Sequence, residues 1–227
     1  MANIFDIIGP IMVGPSSSHT AGAARLGMVA RTLLKSAPCR AEIKLHGSFA
    51  QTYKGHGTDK AIIGGLLGFS PDDLRIKDSL RIAKNQGLTC VFSAVYLGDV
   101  HPNTAVITVF SQTGECISIQ GSSIGGGKIK IHAVNDLPAE FTAESDTLIV
   151  YHIDTPGVIA AVTGLLAKHD VNIGRMKVFR SHRGGRSVIV MEIDQAVCTD
   201  LCQLIRTIPN VTEIMAVPGT ARIESSP

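Results

Sequence analysis

Tryptophan is absent from the 227 residues, and only three Tyr and seven Phe are present. Any core must therefore be built from Ile, Val, Leu and Ala, which fill space without a polar tip. No run of five or more Lys or Arg occurs and the net charge is only +2, which removes the electrostatic footprint of a nucleic-acid binder. Long apolar runs are missing too. The opening "MANIFDIIGPIMVGP" has no basic leader and is cut twice by Gly-Pro, so it reads as neither a signal peptide nor a membrane span, and a cytoplasmic chain is expected. Five cysteines, Cys39, Cys90, Cys116, Cys198 and Cys202, are odd in number and lack CxxC spacing. In a reducing compartment they read as small buried apolar side chains. Cys198 and Cys202 can share a helix face, but two thiols complete neither a zinc nor an iron–sulfur site, so no metal is expected in this chain.

Apolar residues make up 44 % and charged ones 18 %, enough for a folded core and unlike a disordered chain. The spacing of Leu26, Val29, Ala30 and Leu33 in "SSHTAGAARLGMVARTLLKS" predicts a helix, with Ser16 to Ser18 as its cap. "RAEIKLHG" alternates like a strand, while "DKAIIGGLLG" and "DSLRIAKNQG" read as short helices stopped by glycine. Four β segments follow, "LTCVFSAVYL", "TAVITVFS", "ECISIQGSS" and "KIKIHAV", the middle two joined at Thr113-Gly114. After the polar linker "LPAEFTAESD" the pattern restarts as strand, helix, two strands, helix, strand. This βαββαβ order predicts a ferredoxin-like domain of roughly seventy-five residues. The chain is thus expected to be α+β, with domains at 1–143 and 144–227.

The stretch "GPSSSHTAG" carries more polarity than a cap requires. A hydrolase triad is not expected there, because neighbouring side chains on one turn diverge and no G-x-S-x-G elbow is present. Hydroxyls and free N–H groups at a helix start do hold carboxylates well. In "HGSFAQTYKGHGTDKA" the residues His46, Lys54, His56, Thr58, Asp59 and Lys60 lie among glycines, as in a loop that grips a small polar ligand. The plainer reading is an exposed turn in which Thr58 or Asp59 caps the next helix. "GSSIGGGKIKI" invites a phosphate-loop reading but fails on spacing and context, and its glycines are expected to give a tight backbone passage beside another surface.

Two resemblances join these pieces. "DTPG" opening a helix and "HDVNIGRMKV" closing it resemble the ACT domain over 147–218. That resemblance implies pairing of two copies, a homodimer here, and amino-acid binding at His152, Asp154 and Asn172. The structural alternatives are that Asp154 only caps a helix and that His152 lies on a strand surface. Together, "FDIIGPIMVGPSSSHTAGAARLG", "HGSFAQTYKGHGTDKAIIGG", "HPNTA" and "SIGGGKI" resemble the β chain of the bacterial iron–sulfur L-serine dehydratases. The first domain then has a fold similar to the allosteric substrate-binding domain of some phosphoglycerate dehydrogenases.

This second resemblance implies a lyase of amino-acid degradation that converts L-serine to pyruvate and ammonia. Its [4Fe–4S] cluster would be ligated by a separate α chain, with no pyridoxal phosphate. It also implies a substrate pocket in which Ser16, Ser17, Ser18 and Thr20 bind L-serine with Gly57, Thr58 and Asp59 on the opposite wall. His19 or His56 would move the proton, imidazole titrating near the operating pH. A binding-only regulatory subunit and a scaffold that merely dimerises stay open as alternatives.

Overall fold

The computed structural model describes residues 12–14, 16–52 and 54–224. The opening run read as lacking a leader lies almost wholly outside them. The chain forms two compact units, one running up to Asp136 and one from Leu137 to Arg222. Among the described residues no helix is long and apolar enough to cross a membrane.

In the first unit a π-helical turn, Ser17–Gly22, leads directly into α1 (Ala23–Leu34). Strand β1 (Arg40–Leu45), α2 (Gly47–Thr52), α3 (Thr58–Leu66), a 3₁₀ turn and α4 (Ser79–Asn85) follow, then β2 (Thr89–Ala94), β3 (Thr104–Phe110), β4 (Cys116–Gly125) and β5 (Lys128–Val134). Within this unit the strands are ordered β2-β1-β3-β4-β5. β1 and β2 run parallel, while β3 joins β1, and β4 and β5 join in turn, as antiparallel pairs. Ala41, Ile43 and Leu45, then Ala105, Ile107 and Val109, then Ile117 and Ile119, then Ile129 and Ile131 alternate into one buried face, as a two-residue period requires. Helix α1 packs on β3 and β4, and α3 packs on α1.

Two glycines set the depth of that helix crossing. A methyl group on Gly65 would strike the Ala24 carbonyl, and one on Gly27 the Ile62 carbonyl. The α1 and α3 backbones therefore touch, and the segments that precede the two helices are drawn together. Leu26, Ile62, Ile63 and Leu66 close the seam at 0 % exposure, each stabilising by about 1.5–3 kcal/mol.

Three expectations are corrected in this unit. The polar stretch 46–61 is not one loop, because Gly47–Thr52 is a helix anchored by the fully buried Phe49. The glycines 125–127 form the β4–β5 turn, all at positive φ, and a side chain at Gly125 or Gly126 would meet open space rather than a neighbouring surface. Of the five cysteines none is fully buried. Cys116 and Cys198 are exposed and the other three half-buried.

The second unit begins with β6 (Leu137–Phe141), a strand where the sequence reads as a polar linker; it packs beside β9 and β8. It continues with β7 (Asp146–Ile153), α5 (Val158–Lys168), β8 (Ile173–Arg180), β9 (Arg186–Ile193), α6 (Thr199–Arg206) and β10 (Val211–Val217). The order β10-β7-β9-β8 is that of the expected ferredoxin-like fold. One apolar cluster, including Leu148, Val150, Val162, Leu166, Ile189, Met191, Leu201 and Ile205, fills the space between sheet and helices.

Candidate active site

The site is built around His19. Ser16 has extended backbone, and its Oγ accepts the His19 backbone N–H at 3.2 Å, so it is the helix cap that the sequence suggests. The helix does not then start as an ordinary α-turn. Ser17–Gly22 is wound as a π turn, a wider winding that recurs at functional positions. Gly22 permits it, since a side chain there would run into Ser123. Ser17 and Ser18 are half-buried in the first turn, while Thr20 is buried.

His19 is 8 % exposed and engaged on every side. Nδ1 lies 3.3 Å from Ser16 Oγ, and Nε2 lies 3.2 Å from Ser48 Oγ on α2. The Phe49 ring meets it edge-on at 5.3 Å, and the exposed His56 ring stands perpendicular to it at 4.9 Å. The expectation that side chains of this turn diverge is therefore wrong for Ser16 and His19, which face one another three residues apart. Burial lowers the His19 pKa below the ordinary histidine value, His56 lowers it further, and a contact with the Ser48 backbone opposes both. The result is a neutral imidazole at pH 7, the form that can accept a proton.

The opposite wall comes from the start of α3. Its cap is neither Thr58 nor Asp59, as the plainer reading has it, but Gly57, in the left-handed region at φ 71° with open space where a side chain would be. Thr58 is 0 % exposed and its hydroxyl has no partner. Asp59 is 8 % exposed and accepts the Lys60 N–H at 2.8 Å; burial raises its carboxyl above the usual range. The "HGTD" segment thus offers open backbone at the Gly57 cap, together with an unsatisfied hydroxyl and a desolvated carboxyl that do not cap the helix.

Three residues of this region are missed by the sequence reading. Ser48 is hidden by the reading of its segment as loop. Asn103 and Ser123 belong to the "HPNTA" and "GSSIGGG" stretches, where the signal was polarity at strand ends. Among the described residues of the first unit, the buried polar atoms that lack a partner are Thr20 Oγ1, Thr58 Oγ1, Asn103 Oδ1 and Ser123 Oγ. Ser123 presses on Gly22 of the π turn and its N–H donates to the Asn103 carbonyl at 3.0 Å. Each such orphan costs about 1–3 kcal/mol in a protein that makes no use of it.

The other three predicted residues lie in the second unit. His152 is not on a surface. It is 2 % exposed, with Nδ1 against its neighbour's carbonyl at 2.8 Å and Nε2 unpartnered. Asp154 is not a helix cap, a place held by Gly157. Its carboxylate accepts from Gly184 N–H at 3.2 Å and Arg180 at 3.3 Å, and these contacts hold its pKa below the ordinary value. Asn172 donates to Asp194 at 2.6 Å, and its backbone N–H donates to Gln195. Ile153 pairs with Arg186 and Ile173 with Ile193, so Asp154 and Asn172 follow opposite ends of β9. Seven steps at ~3.3 Å separate those ends by about 23 Å. The fold does not bring them together within one chain.

Among the described residues no three His, Cys, Asp or Glu side chains converge to hold a metal ion. The thiols do not suit a cluster either. Burial pushes Cys90 up to about 11, and Cys198 Sγ accepts the Leu201 N–H as a helix cap. The described residues of this chain therefore do not fit an iron–sulfur group.

The chain joins an α+β unit with a histidine-centred polar site to a ferredoxin-like second unit, and residues 147–197 match the ACT domain family. Residues 3–133 match the family described as serine dehydratase beta chain, and the chain belongs to that family. It is 44 % identical over 215 residues to the Bacillus subtilis protein named probable L-serine dehydratase, beta chain, covering 95 % of this chain and 97 % of that one. It is 43 % identical over 198 residues to the L-serine dehydratase, beta chain, of Peptoniphilus asaccharolyticus, covering 87 % and 89 %. A D-3-phosphoglycerate dehydrogenase of Methanocaldococcus jannaschii is 29 % identical over 198 residues, covering 86 % of this chain and 37 % of that one.

Proposed function

We propose that this chain is the β subunit of an L-serine dehydratase, converting L-serine to pyruvate and ammonia, and that His19 lies at its half of a shared active site. The observation that carries this reading is the buried His19 ring, held by Ser16 and Ser48 and crossed by His56, in a chain of this family. Hydroxyls of Ser16, Ser17, Ser18 and Thr20 take the substrate carboxylate at the helix start, where the N–H groups favour an anion. His19 accepts the Cα proton. His56, Gly57, Thr58 and Asp59 form the facing wall, with Gly57 leaving room for close approach. A [4Fe–4S] cluster on the partner α chain would assist departure of the β-hydroxyl as a Lewis acid. The part of this chain is to bind, to orient and to move the proton. Its five free cysteines suit a reducing cytoplasm.

The ACT unit fits a regulatory role that needs a second copy. Since Asp154 and Asn172 sit at opposite ends of one sheet, a two-fold pair of chains brings one residue of each to a common site. The test is co-expression with a cluster-bearing α chain. Serine deamination should appear only with both chains and fall about 100-fold or more in a His19→Ala, His56→Ala double variant, the scale of lost acid–base catalysis. Wild-type turnover in that variant would remove these histidines from the site.

A further inference from the structure

Among the described residues, both ring nitrogens of His19 face a serine hydroxyl. One nitrogen faces Ser16 Oγ, the other Ser48 Oγ, and the rings of Phe49 and His56 cover its flanks. Among the described residues, a proton entering or leaving either ring nitrogen has a serine hydroxyl as its next stop. The two hydroxyls are not equivalent. Ser16 Oγ already accepts the His19 backbone N–H as a cap and is bound to the local turn. Ser48 comes from 29 residues away, and its side chain meets His19 without a capping duty.

Helix α2 delivers Ser48 rigidly. Gly47 adopts φ 53°, and a side chain there would press on Pro102, so the helix starts hard against the 101–104 loop. Phe49 is fully buried and sets its ring on His19, and the Thr52 hydroxyl donates to the Ser48 carbonyl at 2.9 Å. Consecutive residues of one short helix thus serve a nitrogen and a flank of the same imidazole.

Proton bookkeeping along the row allows two arrangements. In one, Ser16 donates to a bare Nδ1 and the Nε2–H donates to Ser48 Oγ. In the other, Nδ1–H donates to Ser16 and Ser48 donates to a bare Nε2. Only the second places an acceptor nitrogen behind the Ser48 hydroxyl, the relation of base to activated hydroxyl.

Resting on the dehydratase reading above, we infer that Ser48 is the proton relay between His19 and the substrate. As the Cα–H bond breaks, its proton passes to Ser48 Oγ while the Ser48 O–H proton passes to His19 Nε2, leaving an imidazolium. The C–H electron pair forms the Cα=Cβ bond as the β-hydroxyl departs. The same relay returns the proton to that oxygen, which leaves as water. His56, the ionisable side chain packed on the ring, disfavours the imidazolium and so drives the return; Ser16, Ser48 and Phe49, which complete the surroundings, are uncharged.

The experiment compares Ser48→Ala and Ser48→Thr in the α–β complex, with His19→Ala alongside. Ser48→Ala should lower kcat about 10- to 100-fold with KM within a factor of two, the signature of a group used in the transition state. Ser48→Thr, which keeps a hydroxyl, should recover most of the rate. Imidazole nitrogen NMR of the isolated full chain should show the His19 tautomer changed in Ser48→Ala and preserved in Ser48→Thr. Wild-type kcat in a folded Ser48→Ala would overturn the relay, as would a folded Ser48→Thr no better than Ser48→Ala. Full activity of His19→Ala would instead overturn the dehydratase site itself.

Discussion

The two units treat similar sequence signals in opposite ways. In the first, a polar turn before a helix and a glycine-rich turn before another helix, 37 residues apart, end with His19 and His56 in ring contact. In the second, the polar residues that open and close a helix, Asp154 and Asn172, end about 23 Å apart by strand register. The difference lies in the packing of the elements that carry them. Helices α1 and α3 touch through Gly27 and Gly65, which aligns their starts. Helix α5 instead runs along a sheet and carries its two ends to opposite edges of the unit. A helix start becomes a complete local constellation only where another helix start is packed beside it. Otherwise it is half of a site awaiting a second chain.

That contrast can be broken at the helix crossing with the largest effect. Gly65→Ala places a methyl group on the Ala24 carbonyl, and should cost about 1–3 kcal/mol in denaturant titration, the range of an overpacked core. It should also lower activity beyond what the unfolded fraction explains, because the His19–His56 contact opens. Unchanged midpoint and activity would show that the crossing does not set the site.

A smaller effect of opposite sign sharpens the same side of the comparison. Thr58→Val removes a fully buried hydroxyl that has no partner, and should stabilise the chain by about 1 kcal/mol while reducing kcat/KM. Such a trade of stability for function is expected where a polar group is kept for a ligand. A destabilised Thr58→Val would mean that its hydroxyl is satisfied in the folded chain.

The second unit is tested by mixing chains. Asp154→Ala and Asn172→Ala should each abolish saturable L-serine binding by the ACT unit, measured by calorimetry. Equal mixing with random pairing should restore about a quarter of the sites, since half the dimers are mixed and each then holds one intact site. No recovery on mixing points to a site within one chain.

The smallest effect is on pH dependence. His19 has a folded pKa below its ordinary 6.5, so the unfolded chain binds the proton first. Its contribution to stability is full above pH 6.5 and declines as the pH falls toward the folded value. Asp59, raised above 3.8, acts with the other sign, losing stability as the pH rises through its own window. Titrating His19→Gln against the parent chain should flatten the first slope and leave the second.

Much of the architecture was legible because it rests on local periodicity. The alternation of Ile117, Ile119, Ile129 and Ile131 and the βαββαβ order both follow from which side chains avoid water, and both stand in the fold. The strand Leu137–Phe141 was not legible, since "LPAEF" has the composition of a linker and only its tertiary setting makes it a strand. Helix Gly47–Thr52 was hidden for a similar reason: it is held by the burial of Phe49 and by Pro102 against Gly47, neither of which spacing reveals.

What the residue types determined by themselves is which side chains are suited to chemistry: three serines, a histidine and a threonine at a helix start, and a second histidine between glycines. Their number and polarity exceed what capping requires, and that excess is a property of composition and order alone. What only the tertiary structure decided is which of them meet. His19 finds His56 because two glycines let two helices touch, and finds Ser48 because α2 starts hard against Pro102, whereas Asp154 and Asn172 are parted by the length of a strand. Contact between residues distant in sequence is set by the packing of whole elements, and no local pattern carries it.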